Sequence, residues 1–191
     1  MAAVPRPRLT PNERETVGRV WAWALEASSA PDGSIHGPSH WRRVGRLGMR
    51  IAGIEGGDLL VVALFATCHD IARVHDGIDH EHGPKAVERM RMELPHDLDL
   101  RPGQLDLLFR AITSHTEGEI VEDSTIGACW DADRLDLIRI GFDIDRRRLS
   151  TATARGPALE NAARRLWERD RRFRIAAGLW VPRPAPPRGE S

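Results

Sequence analysis

Features that mark several classes of protein are scarce in this chain. Its 191 residues include only two cysteines, Cys68 and Cys129, and both lie in apolar segments. Two such cysteines do not form a disulfide framework, and we expect reduced, buried thiols in a cytoplasmic protein. Lys+Arg and Asp+Glu each number 28, so the formal net charge is zero. This balance gives no indication of a general nucleic-acid-binding surface.

Long apolar segments are missing as well. The apolar run at residues 59–67 is too short to span a bilayer, and residues 1–11 lack the apolar core of a signal peptide. Neither repeats nor a mid-chain linker divides the sequence. We therefore expect a single domain at residues 12–178, with a flexible lead-in at residues 1–11 and a Pro-rich, disordered tail at residues 179–191.

Apolar residues recur at helical spacing through most of the chain. From Asn12 to Ser28 they fall on one face of an amphipathic helix, and similar stripes predict helices beginning near Ser39, Asp58 and Leu105. No stretch alternates in the manner of a strand with β-branched enrichment. The predicted fold class is all-α, a single compact helical bundle.

The residues that stand out chemically follow the apolar run. The helix that begins near Asp58 is predicted to end around Arg73. Its residues 59–67 are apolar on every side and therefore buried, and Cys68, His69 and Asp70 follow directly. Burying these two groups without partners is costly, and a metal ion would satisfy both. His40 lies in phase with the next apolar stripe upstream. Farther downstream a helix is predicted from Ile126 to Ile140. Asp131 and Asp133 lie on its two opposite apolar faces, and helical phase does not choose between them.

Two further histidines lie in phase with apolar faces at predicted helix ends. His82 is in phase with the stripe of the helix that follows it, and His115 continues the stripe of the helix before it. His80 lies in the same polar loop as His82 and is an alternative to it.

The order of His40, the doublet His69-Asp70 and Asp133 along the chain resembles the HD-domain superfamily of metal-dependent phosphohydrolases. The resemblance rests on three segments within residues 34–141: His40-Trp41-Arg42-Arg43-Val44, the doublet His69-Asp70, and Ala132-Asp133-Arg134-Leu135. It implies that Asp133 is the last metal ligand and that Asp131 lies behind the ligands. A subset of the superfamily binds a second metal through added histidines, for which His82 and His115 are the candidates.

The resemblance also implies a function, namely a phosphatase or phosphodiesterase that acts on a nucleotide or another small phosphate ester. Asp70 and Arg73 are the expected catalytic residues, although some family members carry an acidic residue near position 73. Arg42, Arg43, Arg73 and Lys85 flank the motifs and are candidates for binding phosphate. The expected metal ligands are His40, His69, Asp70, Asp133, His82 and His115.

Imidazole and carboxylate ligands suit Mn²⁺, Fe²⁺, Ni²⁺, Co²⁺ or Mg²⁺, in one site or two. Two other functions fit the same residues. A di-iron oxygenase would use the added histidines for oxygen activation, and a sensor would bind a nucleotide or metal without turnover. Neither a membrane nor nucleic acid is an expected partner.

Overall fold

A computed structural model describes residues 8–30, 33–117 and 119–178 of the protein. These residues form helices and turns and contain no β-strand, which confirms the all-α prediction. The predicted tail and most of the predicted lead-in lie outside the described residues, and the division into one domain with two terminal segments stays a prediction. The α-helices are α1 (Pro11–Ala27), α2 (Pro38–Glu55), α3 (Leu59–Cys68), α4 (His82–Glu93), α5 (Gln104–Thr113), α6 (Ser124–Asp136), α7 (Ala152–Arg155) and α8 (Pro157–Ala176).

Local sequence signals set where several of these helices begin. Thr10 and Glu13 form a capping box at the start of α1, in which each side chain accepts a hydrogen bond from the other residue's backbone N–H. The Asp58 carboxylate accepts the N–H groups of Leu60 and Val61 at the start of α3. Proline in the first turn begins α2, where its missing N–H costs no helical hydrogen bond.

Helix α3 lies in the middle of the fold and packs against α1, α2, α5 and α6. Its residues from Leu60 to Cys68 are buried apart from Ala63. Helix α2 approaches it closely at Gly48, where an added Cβ would lie 2.6 Å from Val62 Cγ1. The central position of α3 therefore brings its carboxyl end, and the doublet that follows, to the interior of the bundle.

Two predicted helix ends differ from the structure. Helix α3 was expected to continue to about Arg73, but it ends at Cys68 and a turn follows. Helix α6 was expected to run from Ile126 to Ile140, but it gives way to a 3₁₀ helix at Leu137–Ile140. Among the described residues, no helix has both the length and the apolar character needed to cross a membrane.

Candidate metal centre

His69 and Asp70 are placed by the end of α3. The His69 backbone N–H still donates to Phe65 O, and its ring Nδ1–H donates to the same carbonyl at 3.1 Å. The chain then turns, so that Asp70 extends from the end of the helix into the bundle, with 2% of its surface exposed. The doublet is thus held rigidly at the centre of the protein.

Three helical segments bring a first group of ligand atoms together around Asp70 Oδ2. His40 Nε2 and His69 Nε2 lie 3.1 Å apart, and each lies 3.4 Å from this oxygen. Asp133 Oδ1 completes the group, at 3.2 Å from His40 Nε2 and 3.7 Å from His69 Nε2. We call His40, His69, Asp70 and Asp133 the first cluster.

A second group lies on the other oxygen of the same carboxylate. His82, the first residue of α4, and His115, which follows α5, place their Nε2 atoms 2.8 Å apart. Asp70 Oδ1 lies 3.1 Å from the first and 4.0 Å from the second. We call His82, His115 and Asp70 the second cluster; His80, the alternative to His82, is an exposed loop residue instead.

Hydrogen bonds at the Nδ1 atoms decide the tautomers of the clustered histidines. The Nδ1 atoms of His69, His82 and His115 each face a backbone carbonyl, at 3.1, 2.6 and 2.7 Å. Because a carbonyl only accepts, each of these nitrogens carries its proton, and a neutral ring then presents a bare Nε2 lone pair. Two such lone pairs 2.8 to 3.1 Å apart repel one another unless a proton or a metal ion lies between them.

The electrostatics of the first cluster also call for positive charge. Burial opposes charge on His69, but Asp70 and Asp133 outweigh it and raise its pKa to about 10. The histidines in turn hold the pKa of both carboxyls well below the ordinary value, against the effect of burial. Burial and the repulsion of His69 lower the pKa of His115 to about 4, so that ring stays neutral. Imidazoles and carboxylates arranged in this way fit a divalent metal ion at each cluster.

Residues behind the ligands hold the first cluster in position. Asp136 Oδ2 accepts a hydrogen bond from His40 Nδ1 at 2.8 Å, and Asp136 also pairs with Arg43 through both of its oxygens. Arg43 reaches onward to Asp170 of α8 at 2.6 Å. A carboxylate behind a histidine fixes the ring orientation and raises its basicity as a ligand.

Asp136 and His36 are functional candidates outside the set predicted from the sequence. Asp136 lies one helical turn after Asp133, and this spacing could have indicated it. His36 Nδ1 lies 2.8 Å from Asp70 Oδ2, and the His36 side chain is nearly buried. Its position four residues before His40 could have indicated a second inward histidine.

Asp131 does not lie behind the ligands, and that expectation is wrong. Its carboxylate accepts the backbone N–H groups of Ser150 and Thr151, each at 2.7 Å, together with the Thr151 hydroxyl. These bonds tie α6 to the start of α7. Asp131 and Asp133 lie on opposite faces of α6. Asp131 therefore has a structural role, and Asp133 belongs to the first cluster.

Both clusters border a cavity of about 600 Å³. Its lining includes His36, Asp70, His115 and Asp133, together with apolar side chains such as Leu137 and Leu149. Charged side chains on the lining beyond the clusters are Arg73, Arg134, Arg139, Arg148, Asp143 and Asp145.

The cationic side chains predicted to bind phosphate have different positions. Arg73 lines the cavity, with Nε 3.4 Å from Asp70 Oδ1 and Nη1 donating to Gly77 O. Arg43 is buried in its ion pairs, exposed Arg42 lies 4.9 Å from the Trp21 ring centroid, and Lys85 is exposed on α4. The structure therefore brings only Arg73 of these four to the cavity.

The fold and the clusters together define the class of protein: an all-α domain built around a histidine–aspartate centre capable of holding divalent metal. The chain belongs to the HD domain family, whose model matches residues 39–149. This confirms the resemblance seen in the sequence.

One solved structure gives a comparison over nearly the whole chain. It is a protein from an uncultured Thermotogales bacterium, described as a predicted HD superfamily hydrolase, with 28% sequence identity and a TM-score of 0.54. The similarity covers 88% of this chain and 94% of that one. Among curated proteins, none matches this chain.

Proposed function

We propose that the protein is a metal-dependent phosphohydrolase that acts on a nucleotide or another small phosphate ester. The observation that carries the proposal is the sharing of Asp70: its two oxygens face separate imidazole pairs at the wall of a cavity that also carries arginines. Family membership and the similar protein described as a hydrolase support the same reaction class.

The metal would be Mn²⁺, Fe²⁺, Ni²⁺, Co²⁺ or Mg²⁺, in the first cluster or in both. A divalent ion supplies two kinds of chemistry when bound: it lowers the pKa of a coordinated water and polarises a phosphoryl oxygen. The proposed ligands are His40, His69, Asp70 and Asp133 for the first ion and Asp70, His82 and His115 for the second.

The protein's own residues would position the substrate. Arg73 lies beside Asp70 and on the cavity surface, so its guanidinium group can donate to phosphoryl oxygens held next to the clusters. His36 holds Asp70 in one orientation, which keeps each of its oxygens directed at one cluster. Asp70 belongs to both clusters and would orient an attacking water.

A substrate and metal panel tests this proposal. The purified protein is assayed for phosphatase and phosphodiesterase activity with Mn²⁺, Ni²⁺, Co²⁺ and Mg²⁺, and its bound metal is measured. We expect His69→Ala and Asp70→Ala to lose both metal and hydrolysis, since each removes ligand atoms of the first cluster. His96→Ala, which removes an exposed histidine that belongs to neither cluster and does not line the cavity, is the matched control and should retain both. Hydrolysis that survives in a metal-free His69→Ala/Asp70→Ala double variant would refute the proposal.

One observation also favours a second candidate function, that of a di-iron oxygenase. The second imidazole pair creates a place for two neighbouring ions, which a di-iron oxygenase would also need. Anaerobic purification followed by iron analysis and O₂-uptake measurement separates the two reactions, since a phosphohydrolase consumes no O₂. A sensor would instead bind nucleotide tightly without turnover under every metal tested.

A further inference from the structure

The two clusters share one carboxylate, but the charges around them differ. The first cluster combines two imidazoles with the carboxylates of Asp70 and Asp133. The second combines two imidazoles with Asp70 alone, through Oδ1. The Asp79 carboxylate accepts the Glu81 backbone N–H, and among the described residues only Asp70 places a carboxylate oxygen within 4.0 Å of the His82 ring. A divalent ion would therefore face two carboxylates in the first cluster and one shared carboxylate in the second.

Arg73 adds a positive charge at the oxygen on which the second cluster depends. Its Nε–H donates to Asp70 Oδ1 at 3.4 Å, and the same oxygen lies 3.1 Å from His82 Nε2. In the part of the chain that the structure describes, no other carboxylate lies within 4.0 Å of the Arg73 guanidinium group. A hydrogen bond from Nη1 to Gly77 O at 2.7 Å holds the group in place. The second cluster therefore has a fixed cation beside its only carboxylate.

This cation opposes metal binding at the second cluster. An ion bound through Asp70 Oδ1 would compete with the guanidinium group for the lone pairs of that oxygen and would be repelled by its charge. Even at the dielectric constant of water, a unit charge about 5 Å from a divalent ion weakens its binding by about tenfold or more. Asp70 and His82 are buried, so screening by water is weaker than that. The first cluster uses Oδ2 instead, whose further neighbour is His36 at 2.8 Å.

We propose that the two clusters have unequal metal affinity and that Arg73 sets the difference. The first cluster holds a resident ion, whereas the second binds an ion at least about tenfold more weakly and exchanges it with the solution. This inference concerns the metal centre of the proposed function and rests on it. Arg73 thus determines how many ions the protein retains.

Unequal affinities would also separate the two candidate functions. A single divalent ion can lower the pKa of a bound water and polarise a phosphoryl oxygen, so hydrolysis can proceed with the first cluster alone. A di-iron oxygenase needs both ions at once. The charge of Arg73 therefore favours a hydrolase with one resident ion.

Titration of the metal-free full chain with Mn²⁺ measures both affinities in the absence of substrate, because free Mn²⁺ can be counted from its EPR signal. We expect the wild type to bind one ion tightly and a second at least about tenfold more weakly. Arg73→Met removes the charge but keeps an unbranched side chain, so it should reduce the ratio of the two affinities about tenfold. Arg73→Lys keeps the charge and should keep the second site weak.

Two further variants assign the sites and control for the loss of a charge. His115→Ala should abolish the weaker site and keep the tighter one, because it removes a ligand of the second cluster only. Arg50→Met is the matched control, since it removes an exposed arginine about 15 Å along α2 from His40 and should bind Mn²⁺ as the wild type does. If circular dichroism shows that Arg73→Met does not fold, Arg73→Gln removes the same charge with a polar side chain.

Failure of this inference can be told apart from failure of the proposed function. Two ions bound with equal affinity by the wild type, or a ratio that the charge-removing variants leave unchanged, would overturn the inference alone. Loss of the tighter site in His115→Ala would also overturn it, because the resident ion would then belong to the second cluster. If the ratio depends on Arg73 but no phosphate ester is hydrolysed, the inference stands and the phosphohydrolase proposal fails.

Discussion

Gly83 provides a sharp test of how the second cluster is built. It follows His82 in the first turn of α4 and lies against the end of α5. A Cβ added at Gly83 would lie 2.6 Å from Ile112 O, 3.0 Å from Thr113 O and 3.3 Å from His115 Nδ1. Two of these atoms are backbone carbonyl oxygens, which cannot move unless the helix moves with them. Gly83→Ala must therefore push α4 and α5 apart.

The size of the displacement follows from these distances. The closest contact falls about 0.8 Å short of the 3.4 Å at which ordinary van der Waals contact begins. Such overpacking costs about 1–3 kcal/mol of unfolding free energy. The displacement also separates His82 from His115, whose Nε2 atoms lie 2.8 Å apart, so the second cluster should bind metal less well.

Urea denaturation of the metal-free protein and measurement of bound metal are the two assays. The control is Gly18→Ala in α1, where an added Cβ meets nothing within 4 Å and should stabilise the helix by up to about 1 kcal/mol. We expect Gly83→Ala to be less stable than the wild type and to lose metal from the second cluster. Equal stability of the two alanine variants, together with full metal content, would refute the close helix contact as the basis of the cluster.

Three other predictions address the surroundings of the clusters. Asp136→Asn should weaken metal binding about 10–100-fold in a chelator competition, because it disturbs the hydrogen bond to His40 Nδ1; unchanged affinity would contradict that role. Asp131→Ala should lower unfolding free energy by at least about 1–3 kcal/mol, the cost of one unsatisfied buried donor, while metal content stays at the wild-type level. Cys68 and Cys129 should react with a thiol reagent only after denaturation, because burial raises both pKa values; rapid reaction of the folded protein would show that they are accessible.

Local signals in the chain indicated much of this structure. The helical spacing of apolar residues predicted an all-α fold because one buried face is enough to define a helix from sequence. The uninterrupted apolar run placed His69 and Asp70 in the interior, since a helix that is apolar on every side must be surrounded by protein. Helical phase directed His40 inward, and the family resemblance pointed to Asp133, which does face His40 and His69.

Only the tertiary structure decided which side chains meet. Helical phase shows that a side chain faces the interior, but it does not show which side chain it contacts there, because that contact belongs to a helix distant in the chain. Arg43 is the clearest case: it faces inward as a neighbour of His40, and the packing of α2 against α6 and α8 gives it Asp136 and Asp170 as partners. The sharing of Asp70 between two clusters and the choice of His82 over His80 likewise depend on how helices and connecting segments pack. The sequence determined the kinds of groups that are buried, and the packing determined their neighbours.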